Sequence, residues 1–296
     1  MLALSTKPEV LLKNIVVATD FSPASEAALD RAIGIARHYG SKILLVHAVE
    51  AVSQPHSQEE AEARGTRRLA EAEWRLLREA EKCTNVECER HLLSGTAVEV
   101  VEQFLAIDHT DLIVVGTHGT KGFRKLLMGS VAEQIFRHVR CPVLVIGPSA
   151  REGKTNWDPK RILLATDLQS DESRTVAYAT ALATEHGARL ALLHVTSPTG
   201  APYPEDSKVV IGSYYLSRLR RLVSDWRGGG GYRAEVWVEF EDDPVAGIIS
   251  VASRQAIDLL VLSVHPRAPW TLHFGHNAHR IVTAVPCPAL IVQREL

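Results

Sequence analysis

The most constraining feature of this 296-residue sequence is an internal repeat. Three blocks recur in the same order, two of them after 147 positions (162 − 15) and the third after 146 (287 − 141). Because this period is about half of the chain, the repeat indicates a duplicated domain rather than a solenoid. The paired blocks are 15–20 (IVVATD) with 162–167 (ILLATD), 111–115 (DLIVV) with 258–262 (DLLVL), and 141–146 (CPVLVI) with 287–292 (CPALIV).

The chain length also favours two domains of ordinary size, because one compact core seldom serves so many residues. We place the domains at residues 1–148 and 161–296. The residues between them, 149–160, are mostly polar and include Gly153 and Pro159, which is typical of a linker.

Within each half, short apolar runs alternate with helical patterns. Ser22 and Pro23 are typical of a helix start and Gly40 of a helix end. This alternation predicts an α/β fold, with a doubly wound parallel sheet in each domain. The predicted strands of the first half are 15–18, 42–46, 86–92, 111–115 and 143–146, and further helices are expected near 58–82, 97–107 and 130–138. The four glycines at 228–231 predict a flexible turn in the second half.

Composition excludes several function classes. A formal net charge of -2 gives no electrostatic case for binding nucleic acid or acidic membranes. No apolar run is long enough to span a bilayer, and the first residues do not resemble a signal peptide, so we expect a cytoplasmic protein. Four cysteines in a chain of this length do not indicate a disulfide framework, and Cys83 and Cys88 are expected to be ordinary reduced thiols.

A glycine-rich loop follows the fourth predicted strand, at 116–130 (GTHGTKGFRKLLMGS), with the spacing G-x2-G-x9-G-S. Gly116 and Gly119 would let the backbone turn sharply and approach a ligand. Gly129 and Ser130 would open the next helix, whose free N–H groups attract phosphate. The spacing is neither a Rossmann fingerprint nor a Walker A loop, and a plain turn before a helix is the alternative.

With this loop, the sequence resembles a tandem universal stress protein. Residues 15–22 (IVVATDFS) and 46–48 (VHA) also resemble the ends of that family's first two strands. The resemblance covers about 12–148 and 160–294. It implies two tandem doubly wound domains, each a five-stranded parallel sheet with helices on both faces, of the adenine nucleotide α-hydrolase-like type. Ala18 departs from the family, in which proline is frequent at that position.

The resemblance also implies an ATP site in the first domain. Asp20 would lie near the adenosine and Ala48 near the adenine, whereas the glycine loop would hold the ribose and phosphates. Mg²⁺ is an expected companion of the triphosphate, although the sequence shows no dedicated metal ligand. The implied site residues are Ala18, Thr19, Asp20, Ala48, Val115, Gly116, His118, Gly119, Gly129, Ser130 and Val131.

Several of these residues have a second interpretation. Asp20 could cap the first helix instead of contacting a ligand. His118 lies in the loop and could contact phosphate or solvent, and the same choice holds for Arg124 and Lys125. His47 and its repeat partner His194 are interpreted as local packing or hydrogen-bonding residues, because a catalytic histidine needs a positioned partner.

The leading hypothesis is an ATP-binding regulatory protein that hydrolyses ATP weakly or not at all, with no catalytic residue and no metal site assigned. An adenine-nucleotide enzyme of the same fold and a nucleotide-free dimerisation scaffold are the alternatives. The family resemblance further implies that the last strands, 143–146 and 290–292, pair within the chain as a pseudo-dimer, and that two chains form a homodimer.

The second half is expected to have lost triphosphate binding. Its loop, 263–276 (SVHPRAPWTLHFGH), places Ser263 at the position of Gly116 and Pro266 at that of Gly119. Proline has no N–H and a fixed φ, so it can neither take a glycine conformation nor donate to phosphate. Asp167 survives and Gly275 could still open a helix, so an adenosine-like pocket or a rearranged loop remains the alternative.

Overall fold

The computed structural model describes residues 10–49, 58–96, 99–100, 103, 110–117, 141–150, 156–168, 172–197, 207–225, 233–264 and 274–293. The chain divides into two compact units, one at Leu11–Trp157 and the other containing Asp158–Leu296. The narrower predicted boundaries, with a linker at 149–160, stay a prediction.

The first unit contains a parallel sheet of five strands, in the order β3, β2, β1, β4, β5. Its strands are β1 (Asn14–Ala18), β2 (Lys42–Val49), β3 (Cys88–Ser94), β4 (Leu112–Gly116) and β5 (Val143–Ile146). Helices α1 (Pro23–Tyr39) and α2 (Gln58–Ala80) follow β1 and β2. A short 3₁₀ helix, Pro148–Ala150, comes after β5.

The second unit repeats this plan, with the parallel order β10, β9, β6, β7, β8. Its strands are β6 (Arg161–Ala165), β7 (Arg189–Thr196), β8 (Glu235–Phe240), β9 (Leu259–Val264) and β10 (Ala289–Gln293). Its helices are α3 (Ser173–His186), α4 (Ser207–Asp225), α5 (Pro244–Arg254) and α6 (Phe274–Ala284). The predicted fold class, two tandem α/β domains each with a five-stranded parallel sheet, is therefore confirmed.

The central strands form the core of each unit. Ile15, Val16 and Val17 are fully buried although consecutive strand residues point to opposite faces of a sheet. Both faces of β1 are therefore covered, as continuous apolar runs in parallel sheets predict. The same holds for Leu163 and Leu164 in β6.

Local sequence signals explain the limits of α1. The Ser22 hydroxyl accepts a hydrogen bond from the Ser25 amide at 3.3 Å, and Pro23 occupies the first helical position. Gly40 ends the helix in the left-handed conformation, with φ of 66°, which a residue without a Cβ adopts at low cost. The predicted start and end of this helix are both confirmed.

A carboxylate at the amino end of the sheet occurs in both units. Asp111, just before β4, accepts hydrogen bonds from the amides of Lys13 and Asn14 at 2.7 and 2.9 Å. Asp258, just before β9, accepts from the amides of Lys160 and Arg161 at 3.0 and 2.9 Å. This repeated aspartate therefore fixes the register of neighbouring strands at the amino end of each sheet.

The other predicted elements of the first half agree with the structure to within a few residues, α2 among them. Of the helix expected at 97–107, residues 99, 100 and 103 are helical. The rest of that helix, the helix at 130–138 and the glycine turn at 228–231 lie outside the described residues. Among the helices described, we find none with the length and apolar character that a bilayer span requires.

Candidate functional site

The candidate site lies at the carboxyl ends of β1, β2 and β4. In the first unit, β1 pairs with β2 on one side and with β4 on the other, so the chain order reverses between β1 and β4. Ligands of open α/β sheets bind in the crevice at such a switch point. The sequence-predicted residues of these strand ends, Ala18, Asp20, Ala48, Val115 and Gly116, therefore share one edge of the sheet.

The turn after β1 is a tight structure around Thr19. The Thr19 amide donates to the Val46 carbonyl at 2.9 Å, which continues the β1–β2 ladder, and its hydroxyl accepts from the Phe21 amide at 3.0 Å. Phe21 has a left-handed backbone, with φ of 63°. A bulky side chain is uncommon in this conformation, and Leu168 adopts it at the same point of the second unit, with φ of 58°.

Asp20 belongs to this turn rather than to the helix cap. Its Oδ1 accepts a hydrogen bond from the Ser22 amide at 3.0 Å, whereas the capping oxygen of α1 is the Ser22 hydroxyl. The interpretation of Asp20 as the cap of the first helix is therefore wrong. Asp20 is only partly buried.

Gly116 is required by packing. A Cβ at this position would lie 2.4 Å from the Ala24 carbonyl oxygen and 2.8 Å from the Ala24 Cβ, closer than non-bonded atoms approach. Its φ lies outside the left-handed region, so the sharp turn that we expected from its sequence is not the reason for the glycine. The missing side chain instead lets the start of α1 lie against the end of β4. Contact between Gly116 and a ligand stays a prediction.

The histidines at the end of the second strand are local hydrogen-bonding residues, as predicted. His47 Nδ1 lies 2.7 Å from the Thr19 carbonyl oxygen, and His194 Nδ1 lies 2.9 Å from that of Thr166. Phe21 packs on the His47 ring with centroids 4.2 Å apart. Burial lowers the pKa of both histidines, so each ring prefers its neutral form and supports the turn.

A polar cluster that the sequence did not indicate surrounds Thr19. Its hydroxyl lies 3.1 Å from the Ser25 hydroxyl, in the first turn of α1. Burial raises the pKa of the Glu79 carboxyl, in the last turns of α2, and its interaction with the Thr19 side chain opposes that shift. The cluster therefore connects β1, α1 and α2 directly beneath the cleft.

The second unit fills the equivalent position differently. Glu172, at the repeat position of Ser25, is fully buried, and its Oε1 accepts hydrogen bonds from the Thr166 hydroxyl at 2.8 Å and the Ser263 hydroxyl at 2.9 Å. Ser263 stands at the repeat position of Gly116. One carboxylate thus bridges the ends of β6 and β9 at the switch point of this unit.

An arginine secures the turn in both units, and the sequence repeat did not reveal it. Arg75 of α2 donates to the Phe21 carbonyl at 3.3 Å and lies over the Phe21 ring, with its Cζ 4.5 Å from the ring centroid. Arg218 of α4 donates to the carbonyl of Leu168, which is also left-handed, with φ of 58°. The two arginines are 143 positions apart (218 − 75), whereas the turns are 147 apart (168 − 21), so one offset cannot align both.

The remaining predicted site residues lie outside the described residues. They are His118, Gly119, Gly129, Ser130 and Val131, together with the candidate phosphate neighbours Arg124 and Lys125. In the second half, the described residues include Ser263 and the start of α6 but not Pro266.

Comparison with known proteins relates both halves to one family. The model of the universal stress protein family matches residues 12–147 and 159–293, one match in each half. A universal stress protein of Methanocaldococcus jannaschii is 30% identical over 159 residues, which cover 49% of this chain and 87% of that protein. A putative universal stress protein of Staphylococcus aureus is 32% identical over 142 residues, covering 46% and 85%.

Solved structures share the fold over nearly the whole chain. A universal stress protein from Archaeoglobus fulgidus superposes with a TM-score of 0.68 at 18% identity, covering 97% of this chain and 98% of that one. A putative universal stress protein from Pseudomonas aeruginosa gives 0.56 at 15% identity, covering 95% and 93%. With a family match in each half and the repeated switch-point architecture, the chain belongs to the universal stress protein family, as a tandem member.

Proposed function

We propose that this protein binds ATP in its first half and acts as a regulatory protein in the response to stress. The observation that carries the proposal is the open strand edge of the first unit, where Asp20, Ala48 and Gly116 lie beside one switch point. The G-x2-G-x9-G-S loop continues directly from Gly116. Backbone amides of such a loop, and of the helix after it, are well suited to phosphate.

The described residues fit a nucleoside at this edge. The Asp20 carboxylate is partly exposed and is an acceptor for ribose hydroxyls, whereas Ala48 offers strand backbone and a small apolar surface for a base. Gly119, Gly129, Ser130 and Val131 would hold the phosphates. A triphosphate would bring Mg²⁺ with it, coordinated by phosphate oxygens and water.

The second half is proposed to bind no triphosphate. Glu172 places a buried carboxylate between Thr166 and Ser263, at the position where the first half has Ser25 and Gly116. The Glu172 side chain spans the ends of β6 and β9 and so takes up space that a ligand would need at this switch point. Pro266 in place of Gly119 removes one amide donor from the loop as well.

Assembly and location form part of the same proposal. In each unit the last strand, β5 or β10, pairs with one neighbour within its own unit. Because proteins cover exposed strand edges, pairing of these two apolar strands would form an intramolecular pseudo-dimer, and two chains would associate further. From the family and the composition of the chain, we also propose that the protein is cytosolic.

Calorimetric titration of the full chain with ATP tests the site. Gly119→Val should abolish detectable ATP binding, because its side chain would fill the space that the loop backbone needs to approach phosphate. The matched control is Pro266→Val at the repeat position, which should leave ATP affinity unchanged. Equal affinity of Gly119→Val and the parent would contradict the assignment.

A multiple-turnover phosphate-release assay separates binding from enzymatic activity. The regulatory proposal expects no sustained phosphate release from ATP under saturating conditions. Steady release that disappears in Gly119→Val would instead support the alternative of an ATPase of the same fold.

A further inference from the structure

Two cysteines flank the turn between α2 and β3. Cys83 is buried just after the helix, and Cys88 is partly exposed at the first position of the strand. The Cys83 amide donates to the Ala80 carbonyl at 3.0 Å, and the Val86 amide donates to the Cys83 carbonyl at 3.3 Å. Asn85 has a left-handed backbone, with φ of 62°, so the chain reverses direction between the two thiols.

Contacts with neighbouring elements hold both sides of this turn. An Arg37 Nη2 donates to the Thr84 carbonyl at 3.2 Å and to the Thr84 hydroxyl at 3.1 Å. On the other side, the Ile43 amide donates to the Glu87 carbonyl at 2.8 Å, and Cys88 is the register partner of Ile43. The relative position of the two thiols is therefore set by the fold.

The two thiols are close enough across this turn for each to affect the ionisation of the other. The interaction with Cys88, together with burial, raises the pKa of Cys83. The same interaction lowers the pKa of Cys88, with help from the positive charge of Arg90. The more accessible sulfur is thus the one that more readily becomes a thiolate, which is the nucleophilic form of cysteine.

We propose that Cys83 and Cys88 form a redox-active pair, which hydrogen peroxide converts to an intramolecular disulfide. In a reducing compartment, disulfides of this kind are transient and serve sensing or catalysis rather than stability. The inference goes beyond the nucleotide site and does not depend on it.

The chemistry balances with peroxide as the oxidant. The Cys88 thiolate attacks one peroxide oxygen, the O–O bond breaks, and the products are a Cys88 sulfenic acid and, after proton uptake, one water molecule. The Cys83 sulfur then attacks the Cys88 sulfur, which forms the S–S bond and expels the sulfenic oxygen as a second water. Two thiols are oxidised and one peroxide is reduced.

The pair exists in one half of the chain only. The second half has no counterpart, because Cys287 is its only cysteine. The other two cysteines, Cys141 and Cys287, occupy matching positions of the two halves, just before the last strand of each unit. They serve as internal references in the same molecule.

The test uses the full reduced chain and one equivalent of hydrogen peroxide, followed by alkylation and trypsin. Cleavage after Lys82 and Arg90 releases residues 83–90 as a single peptide that contains both cysteines. We expect the mass of this peptide to decrease by two hydrogen atoms, and we expect neither of its cysteines to react with the alkylating reagent. Dithiothreitol should restore both thiols, and Cys141 and Cys287 should stay alkylated throughout.

Single variants identify the two roles. In Cys83→Ser, Cys88 should accumulate as a sulfenic acid that dimedone traps, because no second sulfur is beside it. In Cys88→Ser, Cys83 should stay reduced under the same treatment. The proposal is overturned if the parent retains an alkylatable Cys83 while Cys88 proceeds to a sulfinic acid, or if the parent and Cys83→Ser yield the same Cys88 product.

Discussion

The ends of β1 and β6 carry the same turn in two different surroundings. In both units a threonine hydroxyl accepts a hydrogen bond from the amide of a residue with a left-handed backbone. A histidine ring nitrogen contacts the carbonyl oxygen of the same threonine. Beside that turn, the first unit has a serine and a bare glycine, whereas the second has Glu172 hydrogen-bonded to Ser263. The duplication preserved this turn, whereas the residues beside it at the switch point differ between the halves.

This contrast shows which residues a repeat can assign to folding. Residues that recur with the same contacts, such as Asp111 and Asp258, are explained by the scaffold alone. Other residues change together between the halves. Ser25 and Gly116 of the first half are replaced by Glu172 and Ser263 in the second, which indicates a change in what the cleft accommodates.

The largest effect is expected from placing the second unit's residue into the first. Gly116→Ser puts a Cβ about 2.4 Å from the backbone oxygen of Ala24, which cannot rotate away. We expect a loss of about 3 kcal/mol in the free energy of unfolding. The measurement is urea denaturation, with Ser263→Gly as the reverse exchange. A loss below about 0.5 kcal/mol, the range of neutral surface substitutions, would contradict the packing role of Gly116.

Removing the bridging carboxylate should destabilise only the second half. Glu172→Ala leaves the buried Thr166 and Ser263 hydroxyls without their acceptor, at an expected cost of about 2 kcal/mol. Ser25→Ala is the matched variant in the first half. Hydrogen exchange should locate the loss in β6 and β9 for Glu172→Ala, and uniform exchange across both halves would argue against a local bridge.

The two scaffold aspartates should behave alike. Asp111→Ala and Asp258→Ala each remove a carboxylate that accepts two backbone amides at the amino end of the sheet. Because these bonds are at the solvent-exposed edge, we expect about 1 kcal/mol for each variant by denaturant unfolding. Nucleotide affinity should not change in either. A clear affinity loss in Asp111→Ala alone would show that the two edges of the first unit are coupled.

The smallest effect concerns pH. Burial lowers the pKa of His47 and His194 in the folded state, so unfolding takes up protons as the pH falls. Their contribution to stability is complete above the unfolded pKa of about 6.5 and is lost as the pH decreases through and below it. Melting temperatures at about pH 7.5 and 5.5 should therefore differ less in His47→Asn and His194→Asn than in the parent. An unchanged difference in both variants would contradict this account.

The sequence was sufficient for the architecture because the determining signals are local or repeated. Strand periodicity, the Ser22–Pro23 start and the Gly40 end specify elements through nearby residues, and the repeat shows that there are two domains. The bridge from Glu172 to Ser263 could not be predicted, because it joins residues 91 positions apart that are brought together only by strand order. The shared role of Arg75 and Arg218 was not predicted, because these residues are 143 positions apart and do not align under the repeat period of 147.

We propose that one half of this duplicated scaffold holds the nucleotide and that the other half does not. Native mass spectrometry of the full chain at saturating ATP measures this directly, since it counts nucleotides per chain. We predict one ATP per chain in the parent and in Pro266→Val, and none in Gly119→Val. Two ATP per chain in the parent, or one that persists in Gly119→Val, would contradict the proposed asymmetry between the halves.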